Sequence, residues 1–412
     1  MKKIALLMAV TILISLTHSP LAAEEVDYSR LLVCSKAFEA LGLISDSRAK
    51  ETLKKGLKSP DFLLRAYAAE ALGRLKSPDV VPLLQGASKD RNYLVSVSAT
   101  KALVELGESF YEKKLLNFLN DTRPEVRATA IEQLGDLGNK YLSLLVRALL
   151  KDTDELVRVK AIEQLGVNKF NPALGYIRKA SEDKSSIVRQ AACAAIGEIG
   201  GQEEKSLLNL RLSDPDIYVR AAAKVSLSLL AKNAKVSMKS SFIDLLWQDT
   251  KSENPINRVS SYTALANLND INVVGVVLKE LVSSDSPALI KVEGARALMV
   301  LQPHLFDLAQ KRLSGSKDGI IPVDSLQVFY SVNGKILAMF FIDALIDAKN
   351  PLHKDAPLVL KELKDNASCL FLRQALFDKD SEFQASVVYA LGDLKDKDAV
   401  TDIIKLCKQY GF

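Results

Sequence analysis

Aromatic residues make up only 6% of the 412-residue chain. That is too few for the stacking platforms that hold single-stranded nucleic acid. No excess of positive charge compensates: 55 Lys and Arg nearly balance 50 Asp and Glu, so no strong basic field marks a nucleic-acid partner. Histidine is almost missing. Of the three present, His18 lies in the leader described below, and His304 and His353 stand apart beside prolines (QPHLF, NPLHK), in surface or loop settings. The four cysteines, Cys34, Cys193, Cys369 and Cys407, form no CxxC and no zinc spacing. No GxSxG, Walker loop, HExxH or GxGxxG occurs. These absences leave no catalytic, cofactor-binding or metal-binding residue to name, and the expectation is a protein that is not an enzyme.

The N-terminus is MKKIALLMAVTILISLTHSPLAAEE. Two lysines precede an apolar run from Ile4 to Leu16, then come Ser19-Pro20 and the small residues Ala22 and Ala23. This is the order of a secretory signal peptide, with cleavage expected after Ala23. The apolar run is shorter than the roughly 20 residues that span a bilayer, and no later segment is long and apolar enough to do so. The expected product is exported, periplasmic or secreted, with no transmembrane segment after cleavage.

What the chain does hold is repetition. Residues 121–135 read DTRPEVRATAIEQLG and residues 152–166 read DTDELVRVKAIEQLG. Leu41, Leu72, Leu103, Leu134, Leu165, Ile196 and Leu227 fall 31 apart. Gly follows at 42, 73, 135, 166 and 197. Ala68, Ala99, Ala130, Ala161, Ala192 and Ala223 form a second column. Arg65, Arg127, Arg158, Arg189 and Arg220 form a third, broken by Ser96, and Asp90, Asp121, Asp152, Asp183 and Asp214 a fourth. Such self-similarity marks stacked supersecondary units.

Each unit reads as two helices. Val126, Ala130, Ile131, Leu134 and Leu137 lie on one helical face, and Leu142, Leu145, Ala148 and Leu149 on a second. Asp or Thr before the first turn, with Pro124 near its start, caps the amino end. The Gly column is expected to end the first helix in a left-handed turn, and the Ala column to let neighbours approach closely. Neither helix pair can cover its apolar face alone, so the units stack. Stacking brings a turn Asp near an Arg, and the two columns are expected to form a structural ladder of charge-assisted hydrogen bonds. Cys193, in QAACAAIG, reads as a small buried side chain. In an oxidising compartment disulfides persist, and Cys369 and Cys407, about one repeat apart, are open to bridging.

The phrase D-x-x-x-x-V-R-x-x-A-x-x-x-L-G resembles the HEAT repeat, in particular the phycobilin-lyase (PBS lyase) HEAT-like group, and covers about residues 28–232. The resemblance implies an all-α fold, a right-handed α-α superhelix of roughly ten helical hairpins. It also implies that the helix bearing the Arg and Ala columns lines the concave side. The deoxyhypusine hydroxylases, another HEAT-built family, bind iron through His-Glu pairs, and this chain contains none.

The organisation expected is a signal peptide at 1–23, regular repeats at 24–232, an expanded segment with further repeats at 233–302, and an irregular helical region at 303–412. That region includes turn-rich SGSKDGIIPVDSLQVFYSVNGK, which suits a hairpin or ordered loop, and KILAMFFIDALIDA, which reads as a buried helix. A final repeat with Asp378 and Gln384 in the Asp and Arg columns, and polar Lys395, Asp396 and Lys397, suits an end cap. Positions one, two and five after each Arg point away from the packed face. In the middle repeats they are Ala128, Thr129, Glu132, Val159, Lys160 and Glu163, read as ordinary solvated surface. In the next two they become Gln190, Ala191, Ala194, Ala221, Ala222 and Val225, a low-polarity strip. It reads either as the floor for a partner or as the seat of the 233–257 segment with Phe242 and Trp247. The function expected is an exported scaffold or adaptor that binds another protein through its solenoid face. The alternatives are a phycobilin-lyase-like lyase or isomerase subunit, and a peripheral envelope structural protein binding polysaccharide or lipid.

Overall fold

The computed structural model describes residues 28–283, 285–315 and 334–412. The signal-peptide expectation, the reading of 316–333 as a hairpin and the surroundings of His304 lie outside the described residues. Every regular element among the described residues is helical. In chain order these are α1 (Tyr28–Ile44), α2 (Lys50–Gly56), α3 (Phe62–Arg74), α4 (Val81–Ala87), α5 (Tyr93–Glu105), α6 (Phe110–Asn117), α7 (Pro124–Asp136) and α8 (Leu142–Lys151). There follow α9 (Glu155–Val167), α10 (Leu174–Ala180), α11 (Ser186–Ile199), α12 (Lys205–Arg211), α13 (Ile217–Ala234), α14 (Ser240–Asp249) and α15 (Pro255–Asn267). The last are α16 (Val273–Val282), α17 (Ala288–Gly315), α18 (Gly334–Ile346), α19 (Ala356–Leu363), α20 (Cys369–Ala375), α21 (Ser381–Asp393) and α22 (Val400–Gln409).

Long helices alternate with short ones, and the local sequence sets both lengths. Before most long helices an Asp or Asn accepts the first free backbone N–H groups: Asp61 from Leu63 at 2.7 Å, Asn92 from Leu94 at 2.9 Å, Asp154 from Leu156 at 2.9 Å. Such a cap contributes about 1 kcal/mol. Most of the short helices begin with a three-residue 3₁₀ turn, as at Pro78–Val80 and Asn171–Ala173. Successive long helices pack on one another, α3 on α5, α7 on α9, α9 on α11. The Ala column, Ala68 to Ala223, is wholly buried, as are Leu72, Leu103, Leu134, Leu165 and Ile196. Burying each large side chain contributes about 1.5–3 kcal/mol.

The Gly column does something other than the expected turn. Gly73 and Gly166 lie inside their helices, and a Cβ there would sit 2.5 Å from the Cβ of Ala102 and 2.9 Å from that of Ala195, in the next long helix. The column marks where neighbouring helix backbones nearly touch. The left-handed residue comes three positions later, at Lys76, Gly138, Lys169 and Lys395.

The chain divides into two compact units. One holds Leu53–Ser226 with the described residues up to Leu32; the other holds Val33–Thr52 and Leu227–Phe412. In this second unit the 240–249 segment is an ordinary repeat helix that packs on α15, with Trp247 Nε1 donating to Asp270 at 2.9 Å. Helix α18 is only half covered: Phe341, Ala344 and Leu345 are buried, whereas Met339 and Ile346 are exposed. The final repeat, expected as an end cap, is itself covered by the first helix. Gly392 lies against Ala40, Phe38 meets Phe412 edge to face at 5.2 Å, and Arg48 Nη2 donates to the Lys397 carbonyl at 2.7 Å.

Candidate interaction stripe on the long helices

The Arg and Asp columns meet across consecutive repeats. Arg127 presents Nε and Nη2 to the two carboxylate oxygens of Asp152 at 2.7 and 2.8 Å. Its Nη1 donates to the carbonyls of Asp121 and Thr122 in its own turn at 2.9 and 3.1 Å. The same fork joins Arg65 to Asp90, Arg158 to Asp183 and Arg189 to Asp214. Each of these Asp residues also accepts the backbone N–H two positions on, which fixes the turn. Hydrogen bonds from Arg189 hold the Asp214 carboxyl below its usual range. At Asp90 and Asp152 burial pushes the other way, yet Arg65 and Arg127 prevail and the shift is downward.

Two members of the columns behave differently. Ser96 offers no guanidinium, so Asp121 pairs with Arg123 of its own turn at 3.0 Å. The Ser88 carbonyl is satisfied instead by Ser96 Oγ at 2.9 Å and Lys114 Nζ at 2.6 Å. Arg220 donates to the Asp214 and Pro215 carbonyls at 2.7 and 2.8 Å. In the second unit Lys291, 1% exposed, reaches Asp355 at 2.6 Å, and Gln384 accepts from the Tyr410 hydroxyl at 3.1 Å.

The positions facing away from the ladder form a stripe down the first unit, and it is not the solvated surface expected of Ala128 to Glu163. Ala128 is 4% exposed, Val159 0% and Glu163 8%. The reason is geometric: a helix flanked by a neighbour on each side hides both flanks, so only a narrow file stays open. Lys101 Nζ lies 3.1 Å from Asp136 and 3.6 Å from Glu105, and Lys160 Nζ lies 3.1 Å from Glu163 and 3.9 Å from Glu132. Burial works against the charge of Lys101, yet Asp136, Glu105 and Glu70 together hold its pKa above the ordinary value. Burial raises the Glu132 carboxyl although its side chain keeps 43% exposure. Beside it, Gln133 Oε1 and Glu163 Oε1 are buried with no hydrogen-bond partner, a costly condition. Sequence reasoning missed these acceptors, because polar side chains on an outward-facing register look solvated.

The low-polarity end of the stripe is partly covered as well. Ala191 and Ala221 are buried, while Gln190, Ala194, Ala222 and Val225 are half-buried. No group of three His, Cys, Asp or Glu residues could hold a metal ion among the described residues, and no described helix is long and apolar enough to cross a membrane. His353 is structural: its ring stacks on Phe383 at 4.1 Å and Nδ1 lies 3.3 Å from the Ala344 carbonyl.

Family models for HEAT repeats match residues 32–104, 111–172 and 142–228, and the model for the PBS lyase HEAT-like repeat matches residues 383–409. No curated protein matches the chain. Among solved structures, the chain is similar to YibA of E. coli, with 20% identity over 78% of this chain and 99% of that one, TM-score 0.32. It is also similar to the complex of CpcE and CpcF of phycocyanin lyase from Nostoc sp. PCC7120, with 17% identity over 70% of this chain and 94% of that one, TM-score 0.35. A third likeness is to importin beta, with 12% identity over 89% of this chain and 60% of that one, TM-score 0.40.

Proposed function

We propose that this chain, a HEAT-repeat protein, is an exported scaffold that holds another protein along the stripe of its long helices and performs no catalysis itself. One observation carries the reading. Within the first unit the stripe passes from the charged groups of Lys101, Asp136, Glu132 and Lys160 to a file of small, half-buried apolar residues at Ala194, Ala222 and Val225. A surface of that kind is directional. A partner segment with a basic group at one end and small apolar side chains at the other would pair with the accessible Glu132 carboxylate and fill the file. Stacked repeats suit this work because they supply extended area with little chemistry at any one point.

The test uses the half-buried positions, since a charge at buried Ala191 would break the fold. Ala194→Glu with Ala222→Glu, checked for unchanged helicity, is compared with the native chain in cross-linking pull-downs from an envelope extract. Loss of captured proteins supports the stripe, and an unchanged set rejects it. Export is tested separately by sequencing the amino terminus of the cell-fractionated protein, which should begin at Glu24.

A further inference from the structure

The second unit brings the first helix of the described chain against its last, and this contact places two cysteines together. Cys34 and Cys407 are both 0% exposed. Cys34 precedes Phe38 by one turn of α1. The Phe38 ring meets that of Phe412 at 5.2 Å, and the Phe412 N–H returns to the Cys407 carbonyl at 3.0 Å. Four residues beyond Cys34, that edge-to-face pair fixes the height of α1 against α22. Two residues beyond Cys34, Lys36 lies over the Tyr389 ring at 4.8 Å, and four residues beyond Lys36 Ala40 abuts Gly392. These contacts hold the stretch of α1 that follows Cys34 against the last repeat. Cys34 acts on the Cys407 thiol and, ahead of burial, pushes its pKa well above the ordinary value.

The other two cysteines have no such neighbour. The groups acting on Cys369 are Asp396, Arg373, Asp365 and Asp398, and burial pushes its thiol up to about 11. Those acting on Cys193 are Arg211, Asp214 and Arg189, with burial pushing it to about 12. All four thiols are free in this structure, and Cys369, open to bridging with Cys407 in the sequence, is faced by Asp396 and Arg373 instead.

We propose that Cys34 and Cys407 form a disulfide site that joins the first helical pair to the last repeat when the chain folds in the presence of a disulfide oxidant. The oxidant is a small-molecule or protein disulfide. The Cys34 thiolate attacks one of its sulfurs, the oxidant S–S bond breaks, and one oxidant thiol leaves with a proton. The Cys407 thiolate then attacks the Cys34 sulfur of this mixed disulfide. The Cys34–Cys407 bond forms and the second oxidant thiol departs. Two cysteine thiols have given up two electrons and two protons, and one oxidant disulfide has become two thiols. Full burial of both sulfurs means that the exchange takes place while α22 docks on α1, before oxidant is shut out. The inference stands apart from the partner-binding reading. Export would supply an oxidising compartment, but the chemistry needs only the oxidant.

The test refolds the fully reduced chain with a mixture of oxidised and reduced glutathione, isolates the folded fraction, and alkylates it after denaturation without reductant. The expected result is loss of two titratable thiols, with label on Cys193 and Cys369 only. Non-reducing peptide maps should show one linked pair containing residues 34 and 407, lighter by two hydrogens than the sum of its parts. Cys34→Ala should leave all three remaining thiols titratable, and reductant should lower the melting temperature of the native sequence. Four free thiols in the folded fraction would overturn the proposal, as would a linked peptide containing Cys369 or Cys193.

Discussion

Gly73 faces Ala102 so closely that a methyl group on Gly73 would sit 2.5 Å from the Ala102 Cβ and 3.0 Å from its Cα. The contact is backbone against backbone, with no flexible side chain to give way. Replacing glycine by alanine inside a helix ordinarily stabilises by up to about 1 kcal/mol. Gly73→Ala should instead destabilise by about 1–3 kcal/mol, the range for an overfilled core. Gly86→Ala, in α4 with nothing within 4 Å, should show the ordinary gain. Urea unfolding of the two variants side by side measures the contrast.

The ladder predicts a similar contrast between two aspartates of one column. Asp152 is gripped by Arg127, with both side chains at most 16% exposed. Asp152→Ala leaves that guanidinium without its carboxylate and should cost about 1.5–3 kcal/mol. Asp121 pairs with Arg123, whose side chain is 51% exposed, and an exposed ion pair contributes about 0–1 kcal/mol. Equal losses for Asp152→Ala and Asp121→Ala would remove the ladder from the account of stability.

Acid should unfold the protein in a defined window. The Arg48 hydrogen bond holds Asp46 at about 2, and Asp214 is lowered by Arg189. A depressed folded-state pKa gives stability that is fully present above the unfolded value, about 4, and is lost as pH falls through the folded one. The melting temperature should therefore drop steeply below about pH 4. Measuring it across a pH series on the full chain checks the window.

Glu132 and Glu293 act with the opposite sign, because burial raises both. Their contribution is present below about 4.3, the unfolded value, and is lost as pH rises through the folded ones. Glu132→Gln removes one such penalty. It should raise the melting temperature at pH 7 and leave it nearly unchanged at pH 4. An effect of the same size at both values would mean that the cost does not come from the Glu132 carboxylate charge.

The Leu and Ala columns could be read directly, because hydrophobic spacing reports the packed face of a helix and little else competes for the signal. The Arg and Asp columns could be read as chemistry but not as distance. The glycine was misread because Leu-Gly suits both a helix end and a close approach, and φ leaves no trace in the letters. Lys76, Lys169 and Lys395, which hold the left-handed turns, carry no preference that would announce it. Burial of Ala128 and Val159 was missed because a helical wheel knows one packed face, whereas a stacked helix has two neighbours. Nothing along the chain could have brought Cys34 towards Cys407, since that proximity depends on the first helix packing on the last repeat.

Lys291 meets Asp355 across 64 residues, where Arg127 meets Asp152 across 25. Helices α17 and α19 are neighbours all the same, tied again by Arg296 and Glu362 at 2.9 Å. Helix α18, between them in the chain, packs on α19 as well. The second unit accordingly keeps the ladder's grammar while changing its letters and its stride, with a lysine closing across a long excursion of the chain what an arginine closes between adjacent repeats in the first.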